Sequence, residues 1–422
     1  MSLSPICPAS ETSSLSDAND IPVVIQPSGT AWYASVLIIV NAGLGASLLA
    51  FPQAYDLAGG IVISLVFQTL LALIAWGSLI ILSHCADRSN TATYQETVSA
   101  CCGKRMSVVC SLVIAIYTFG CSITYLIIIG DLWDKVFDYA VPNPEIRHAW
   151  YLHRQFIISL SSILIILPLC MPRRIDFLRY ARPDHWTDVF LVLPAICFGY
   201  QCHVSAVPVY SCMRGRPNVR LFMLTAGMAM LVCYLSYIAT GVFGYLSFGS
   251  HVSADVLIDY PPRAEVVTGL ALLAIKTYTT YPILHFCGRS ALETTILSGL
   301  GWSSERWERI ECRWRYASTT IWFFLSLALA LFAPDIGLVI GLLGGIAGLF
   351  IFAFPGLCLL NITLNDSAYT ALQRSRWLIL VASFYCVLGG FVFALTTTQS
   401  IMQFVRQSRQ LSSLLTAGHV RS

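Results

Sequence analysis

Residues 40–52 read VNAGLGASLLAFP, from Val40 through Gly43 and Gly45 to the Phe51-Pro52 pair. The stretch is apolar enough to lie in a bilayer, yet it cannot hold an unbroken helix. Glycine and proline weaken the backbone ladder, and amides and carbonyls freed inside a membrane must find other partners. A second segment has the same character: residues 194–203, PAICFGYQCH, followed by Pro208. Two broken, small-residue segments in the two halves of one chain set the frame for everything around them.

The surroundings are membrane-like. Of 422 residues 56% are hydrophobic and 11% are Asp, Glu, Lys or Arg, less than half the roughly 25% charged residues of a soluble domain. Mean hydropathy is +0.71. Measured against the roughly 20 apolar residues that a spanning helix needs, ten candidate spans emerge, near 33–54, 60–84, 106–130, 155–172, 188–211, 220–248, 264–287, 316–333, 336–360 and 377–402. The chain is therefore expected to be an all-α polytopic membrane protein. A disordered tail covers 1–31, the transmembrane domain 32–402 and a short tail 403–422. Between the second and third spans, residues 93–98 (TYQETV) predict a short interfacial helix. The tail has no Lys or Arg, which excludes the basic start of a secretory signal peptide. A net charge of +3 without a basic run argues against a nucleic-acid partner. No nucleophile–base pair or metal-ligand cluster stands out, so an enzyme is not expected. The fifteen cysteines sit mostly in or beside apolar runs, and no structural disulfide framework is expected.

Charge placement exposes an inconsistency. With the amino terminus in the cytosol, Arg88, Lys104, Arg105, Arg173, Arg174, Arg179 and Arg182 lie inside, against Lys135, Arg147 and Arg154 outside. In the second half Arg214, Arg216, Arg220, Arg289, Arg306, Arg309, Arg313, Arg315, Arg374 and Arg376 oppose Arg263, Arg406, Arg409 and Arg421. Each half obeys the positive-inside rule, but ten strictly alternating spans put the larger second set outside. The chain behaves as if one span were missing between residues 173 and 188.

Broken helices in matching positions of two repeats are how transporters build midplane sites for ions and substrates; close helix packing through small residues is the other reading. The motifs favour the first. VNAGLGASLLAFP (40–52) resembles the first helix of the sodium-coupled neutral amino acid transporters, of the amino acid/auxin permease superfamily. ATYQE (92–96), YTFG (117–120), LIIIGD (126–131), CFGYQCHVS (197–205), YPILHFCGR (281–289) and FPGLC (354–358) follow in the family's order. The similarity runs from residue 32 to about 400 and is strongest to a lysosomal glutamine/asparagine branch.

That resemblance implies a leucine-transporter-like fold of two inverted five-helix repeats plus one helix. The family's fifth helix is absent here, because Arg179-Tyr180-Ala181 runs directly into the stretch that precedes the sixth. It implies a substrate site formed by Gly43, Leu44, Gly45, Ala46 and Ser47 with Phe198, Gly199, Tyr200 and Gln201. Backbone amides and helix amino termini there suit a carboxylate, and exposed carbonyls suit an ammonium. A glycine is usual in the family where Ser47 stands. The implied sodium site is Asn41 with Thr280 and Thr279, oxygen ligands suited to a hard cation. No cofactor is implied; the coupling ion is sodium or a proton. The partners are an amino acid, sodium and the bilayer, with the oligomeric state open. Residence is the lysosomal membrane by resemblance, with the plasma membrane as the alternative.

Lys276 lies mid-span, one turn before Thr280 and on the same face. A central lysine is costly in a membrane. It snorkels, occupies the cation's place, or pairs with an acid such as Asp131. Asp131 itself reads as an interfacial cap or ion-pair partner. Cys197, Cys202 and His203 read as structural, and His285 as a packed or hydrogen-bonded histidine. Asn361 and Asn365 match glycosylation acceptors that face the cytosol in the family orientation. Two other functional readings remain at this point: a membrane-embedded amino acid sensor without flux, and a non-transporting product lacking one helix.

Overall fold

The computed structural model describes residues 30–44, 46–141, 153–167, 170, 192–213, 218–249, 252, 256–261, 263–300, 304–332, 336–365 and 374–419. The first 29 residues of the expected tail, and the junction after Arg173, lie outside them. Within the described residues the elements are helical, apart from an isolated bridge between Thr30 and Met213.

Helix α1 spans Trp32–Gly43, and a short 3-10 turn, Ala46–Leu49, leads into α2, Phe51–Leu57. Pro52 sits in the first turn of α2, where its missing N–H costs nothing. Gly60, at φ +111°, makes the turn into α3, Ile61–Ser89. The interfacial helix is α4, Tyr94–Cys102. It starts on a capping box: Thr93 Oγ1 accepts from the Glu96 N–H, and the Glu96 carboxylate accepts from the N–H groups of Thr93 and Ala92. Gly103, at φ +86°, turns the chain into α5, Lys104–Ala140. Helix α6 is Arg154–Ser161, extended by a π turn over Ser162–Ile166.

The second half repeats this order. A broken pair, α7 (Val192–Gly199) and α8 (His203–Ser211), is followed by α9, Val219–Phe248. Then come the short α10, Val256–Asp259, and α11, Ala264–Leu300, which like α5 has 37 residues. Helix α12 covers Ser304–Phe332. Helices α13 (Ile336–Gly348) and α14 (Phe354–Asn365) are joined by a π turn, Leu349–Ala353, and α15 runs over Arg374–His419. Five of the described helical stretches are long and apolar enough to cross a membrane: Ile61–Ser89, Lys104–Ala140, Val219–Phe248, Val339–Asn365 and Arg376–Met402. The described parts of the runs at 33–54 and 188–211 fall on the broken pairs α1–α2 and α7–α8.

Polarity is distributed as lipid requires. Ser64, Gln68, Ser78 and Ser122 are fully buried, whereas Val62, Phe243 and Val387 are about 70% exposed (75%, 69% and 72%). Hydroxyls in hydrocarbon must be bonded internally, while aliphatic side chains need no cover. Ser64, Ser78 and Ser122 each donate to a carbonyl of the preceding turn. Helices α5 and α11 cross over the longest shared seam, and α13–α14 packs on α7, α5, α3 and α4. Small residues allow the closest approaches: a Cβ at Gly389 would lie 2.5 Å from the Ala353 amide nitrogen, and one at Gly356 would lie 2.8 Å from that of Cys386. Twelve cysteines are free thiols. Cys212 is disulfide-bonded.

Candidate substrate and ion site at two helix breaks

Helix α1 stops because Gly43 and Gly45 bracket Leu44, whose N–H still reaches the Val40 carbonyl (2.7 Å) before the chain leaves the helix. Helix α7 stops at Gly199 in the same way. Each stop leaves last-turn carbonyls without intrahelical partners, at the negative end of a half-helix dipole. The two ends converge on one group. Tyr237 Oη of α9, fully buried, lies 2.7 Å from the Gly43 carbonyl oxygen and 3.0 Å from that of Gly199. Its ring stacks on Phe51 (centroids 4.2 Å apart) and meets the edge of Tyr200 at 5.2 Å. One hydroxyl proton is shared between two helix ends, leaving acceptor capacity for another donor.

Behind this pin lies Gln68 of α3, also fully buried. Its Oε1 accepts from the Tyr55 hydroxyl of α2, and its Nε2 donates to the Tyr200 hydroxyl at 3.1 Å. The carboxamide thereby ties the far side of the first break to the second. Residues Leu193–Tyr200 are all buried, with Phe198 packed edge-on to Tyr117 of α5 at 6.0 Å. Gln201, 8% exposed, has an Nε2 with no hydrogen-bond partner, a buried donor between the two half-helices. Such a group suits an incoming acceptor such as a carboxylate.

The structure thus gathers Gly43, Gly199 and Tyr200 around Tyr237, with Leu44 next in the chain after Gly43 and Phe198 next before Gly199. Ala46 and Ser47 belong to the 3-10 turn that follows, and Gly45 lies outside the described residues. The ion-site residues are brought together less closely. Helix α1 packs mainly on α9 and α8, while Thr279 and Thr280 sit on α11. Both threonine hydroxyls donate to the Lys276 carbonyl at 2.9 Å, which leaves their oxygen lone pairs free to accept a cation. Asn41 and Lys276 are half-buried.

Asp131 is an ion-pair partner of Arg154: Arg154 Nε and a terminal nitrogen both lie 2.9 Å from Oδ1. His203 Nε2 is 2.6 Å from Ser78 Oγ and 3.2 Å from the Ala75 carbonyl, which fits a structural role. His285 is packed edge-on to Trp322, yet neither ring nitrogen has a partner, so it is packed without being hydrogen-bonded. Sequence reading missed Tyr237, Gln68 and Tyr55. A glutamine in the middle of an apolar span was the available signal, since a buried carboxamide needs partners on neighbouring helices. Removing the pin without changing ring shape tests it: Tyr237→Phe should destabilise the protein by about 1–2 kcal/mol, read as a lower Tm, and weaken amino acid binding. Unchanged melting and binding would show that the shared hydroxyl holds nothing in place.

The model of the family described as transmembrane amino acid transporter protein matches residues 28–182 and 184–402. The chain belongs to this family; it is a multi-pass membrane protein and a transporter rather than an enzyme. It is 43% identical to sodium-coupled neutral amino acid transporter 7 of Danio rerio over 412 positions, covering 88% of each chain. It is 38% identical to the Homo sapiens protein of that name over 431 positions, with 93% of each covered. Among solved structures, a mutant form of a manganese transporter from Eremococcus coleocola superposes with a TM-score of 0.53 at 11% identity, covering 93% of each chain, a likeness of fold alone.

Proposed function

We propose that the fold performs sodium-coupled transport of neutral amino acids of the glutamine/asparagine type by alternating access, in the lysosomal membrane. The observation that carries this reading is the convergence of the Gly43 and Gly199 carbonyls on the Tyr237 hydroxyl. The substrate ammonium joins or displaces that hydroxyl at the two carbonyl ends. Its carboxylate takes the amides of the 44–47 turn and the unpartnered Gln201 amide. Sodium, or a proton in its place, couples to the substrate through Asn41, Thr279 and Thr280. The likeness to proteins named sodium-coupled neutral amino acid transporter 7 supports the substrate class and the ion.

The element order supports two repeats of opposite orientation, with α1–α6 matched by α7–α12. In the second repeat α13–α14 follows; in the first, nothing among the described residues corresponds. The stretch after the π turn carries Arg173, Arg174, Asp176, Arg179, Arg182, Asp184 and Asp188, too many charges for a span. The family match is interrupted at residue 183. The alignment to the Danio rerio relative runs over 412 positions, more than 88% of 422 residues can supply, so that relative carries positions lacking here. These observations favour a second reading for the chain as it stands, a transporter scaffold without its fifth helix and with little or no flux.

Ion coupling is tested in a chain with that helix supplied. Asn41→Ala and Thr280→Ala should raise the sodium concentration needed for half-maximal uptake by roughly tenfold, while leaving the order of preferred amino acids unchanged. Parental sodium dependence in both mutants removes the assignment. Lys276→Ser should strengthen the sodium response, because an ammonium near the site repels a second cation. A response that stays the same or weakens favours a snorkelling lysine.

A further inference from the structure

Four cysteines meet where α3 and α4 touch α14. Cys85 lies near the end of α3, Cys101 and Cys102 close α4, and Cys358 lies in the second turn of α14. Cys102 Sγ is 4.0 Å from Cys358 Sγ, across 256 positions of sequence, and accepts from the Asn361 amide at 3.5 Å. Cys101 is hydrogen-bonded to Cys358, Cys85 and Ser89. Cys85 and Cys358 are fully buried, whereas Cys101 and Cys102 are half-buried. Gly103, Lys104 and Arg105 follow directly and are exposed, which puts the adjacent pair at the aqueous edge of the cluster.

These surroundings favour a thiolate at Cys102. A hydrogen bond from Cys358 holds its thiol below the ordinary value, outweighing burial, and the Asn361 amide adds to the effect. Helix α5 begins at Lys104, so a helix amino terminus and two cations stand within three residues. A thiolate within reach of water, with a second thiol behind it, is the arrangement of oxidation-sensitive cysteine pairs. Metal binding is the other use of clustered thiols. Among the described residues, however, no group of three or more Cys, His, Asp or Glu side chains is placed to hold an ion. A disulfide is about 2.05 Å long, so the two sulfurs must approach by about 2 Å, a shift of the size that side-chain rotation supplies.

We propose that Cys102 and Cys358 form a reversible disulfide when hydrogen peroxide reaches Cys102, and that this bond clamps α4 to α14 and thereby steadies α8. The Cys102 thiolate attacks one peroxide oxygen. The O–O bond breaks, Cys102 becomes a sulfenic acid, and the departing hydroxide takes the proton that Cys102 had released. The Cys358 sulfur then attacks the Cys102 sulfur; the S–S bond forms, the S–O bond breaks, and the hydroxyl leaves as water with the Cys358 proton. Two thiols lose two electrons, one peroxide gains them, and a dithiol reverses the change. The clamp reaches the second helix break through α8. Tyr210 donates to Asp87 of α3 at 2.8 Å, and Ser211 Oγ lies 3.5 Å from the Ala92 carbonyl oxygen just ahead of α4. The bearing of a steadied α8 on transport rests on the reading given above; the bond and the clamp do not.

The test treats the full chain, purified in detergent, with hydrogen peroxide and reads it without any flux measurement. After differential alkylation, the peptide linked through Cys102 and Cys358 should be roughly tenfold more abundant than in the untreated protein, and dithiothreitol should return it to the starting level. Cys102→Ser should lose that peptide and Cys101→Ser should keep it; serine is close to cysteine in size, so both variants should fold. A cross-link through Cys101 or Cys85 in its place would overturn the pairing. So would Cys102 oxidised to the sulfinic acid with Cys358 still open to alkylation. The clamp is read by hydrogen exchange: amides around Tyr210 and Ser211 should exchange about fivefold more slowly in the oxidised parent, with no change in peroxide-treated Cys102→Ser. A disulfide that forms without slowing those amides would overturn the clamp.

Discussion

Inserting a neutral apolar helix after Ala181 is expected to convert a population of mixed topology into a single one. The basic residues of each half orient that half well, but the ten spans read from the sequence cannot meet both preferences. Chains that satisfy the first half place Arg289, Arg313 and Arg374 outside; chains that satisfy the second invert it. Glycosylation reports the difference. Asn361 is a poor reporter once the protein has folded, because its Nδ2 donates to the Leu357 carbonyl at 3.0 Å and faces Cys102 Sγ at 3.5 Å. Asn365, exposed at the end of α14, is the better one. The unmodified chain should carry sugar at Asn365 in a substantial fraction of molecules and leave the endoplasmic reticulum poorly. The chain with the added helix should carry none there. A uniform, unglycosylated population of the unmodified chain would show that the charge pattern does not set orientation.

The second large effect belongs to Gly43. A Cβ there would lie 3.1 Å from Cys233 Sγ of α9 and 3.8 Å from the Cys202 Cβ beside the second break. Valine adds two more carbons in the same place. Overpacking of this kind costs about 1–3 kcal/mol, equivalent to roughly a ten- to hundredfold loss in an equilibrium constant. It also moves the carbonyl that accepts from Tyr237. Gly43→Val should therefore reduce amino acid binding to near background and lower Tm. Gly43→Ala, which presses only on a flexible sulfur tip, should do less of both. Binding by Gly43→Val equal to that of the parent would remove the first break from the site.

Much of this was legible in the sequence because it depends on residues close together in the chain. Gly43, Pro52, Gly199 and Pro208 announce the two breaks through backbone chemistry, and Thr93 with Glu96 announces α4 through a capping pattern. Long-range pairing was not legible. Tyr237 donates across 194 positions to Gly43, and Gln68 donates across 132 to Tyr200. Nothing in the periodicity of α9 or α3 identifies those partners. Asp131 was recognised as a pairing acid, but Arg154, 23 residues away, was read only as an outside charge.

Sodium-driven L-glutamine flux in proteoliposomes tests the central claim most directly, comparing the unmodified chain, the chain with the fifth helix supplied after Ala181, and that restored chain carrying Gly43→Val. Uptake that follows an inward sodium gradient is predicted for the restored chain, with little or none for the unmodified chain or the Gly43→Val form. Full sodium-driven flux by the unmodified chain would contradict the missing-helix reading, and uptake by the restored chain that ignores either sodium or Gly43→Val would contradict the site.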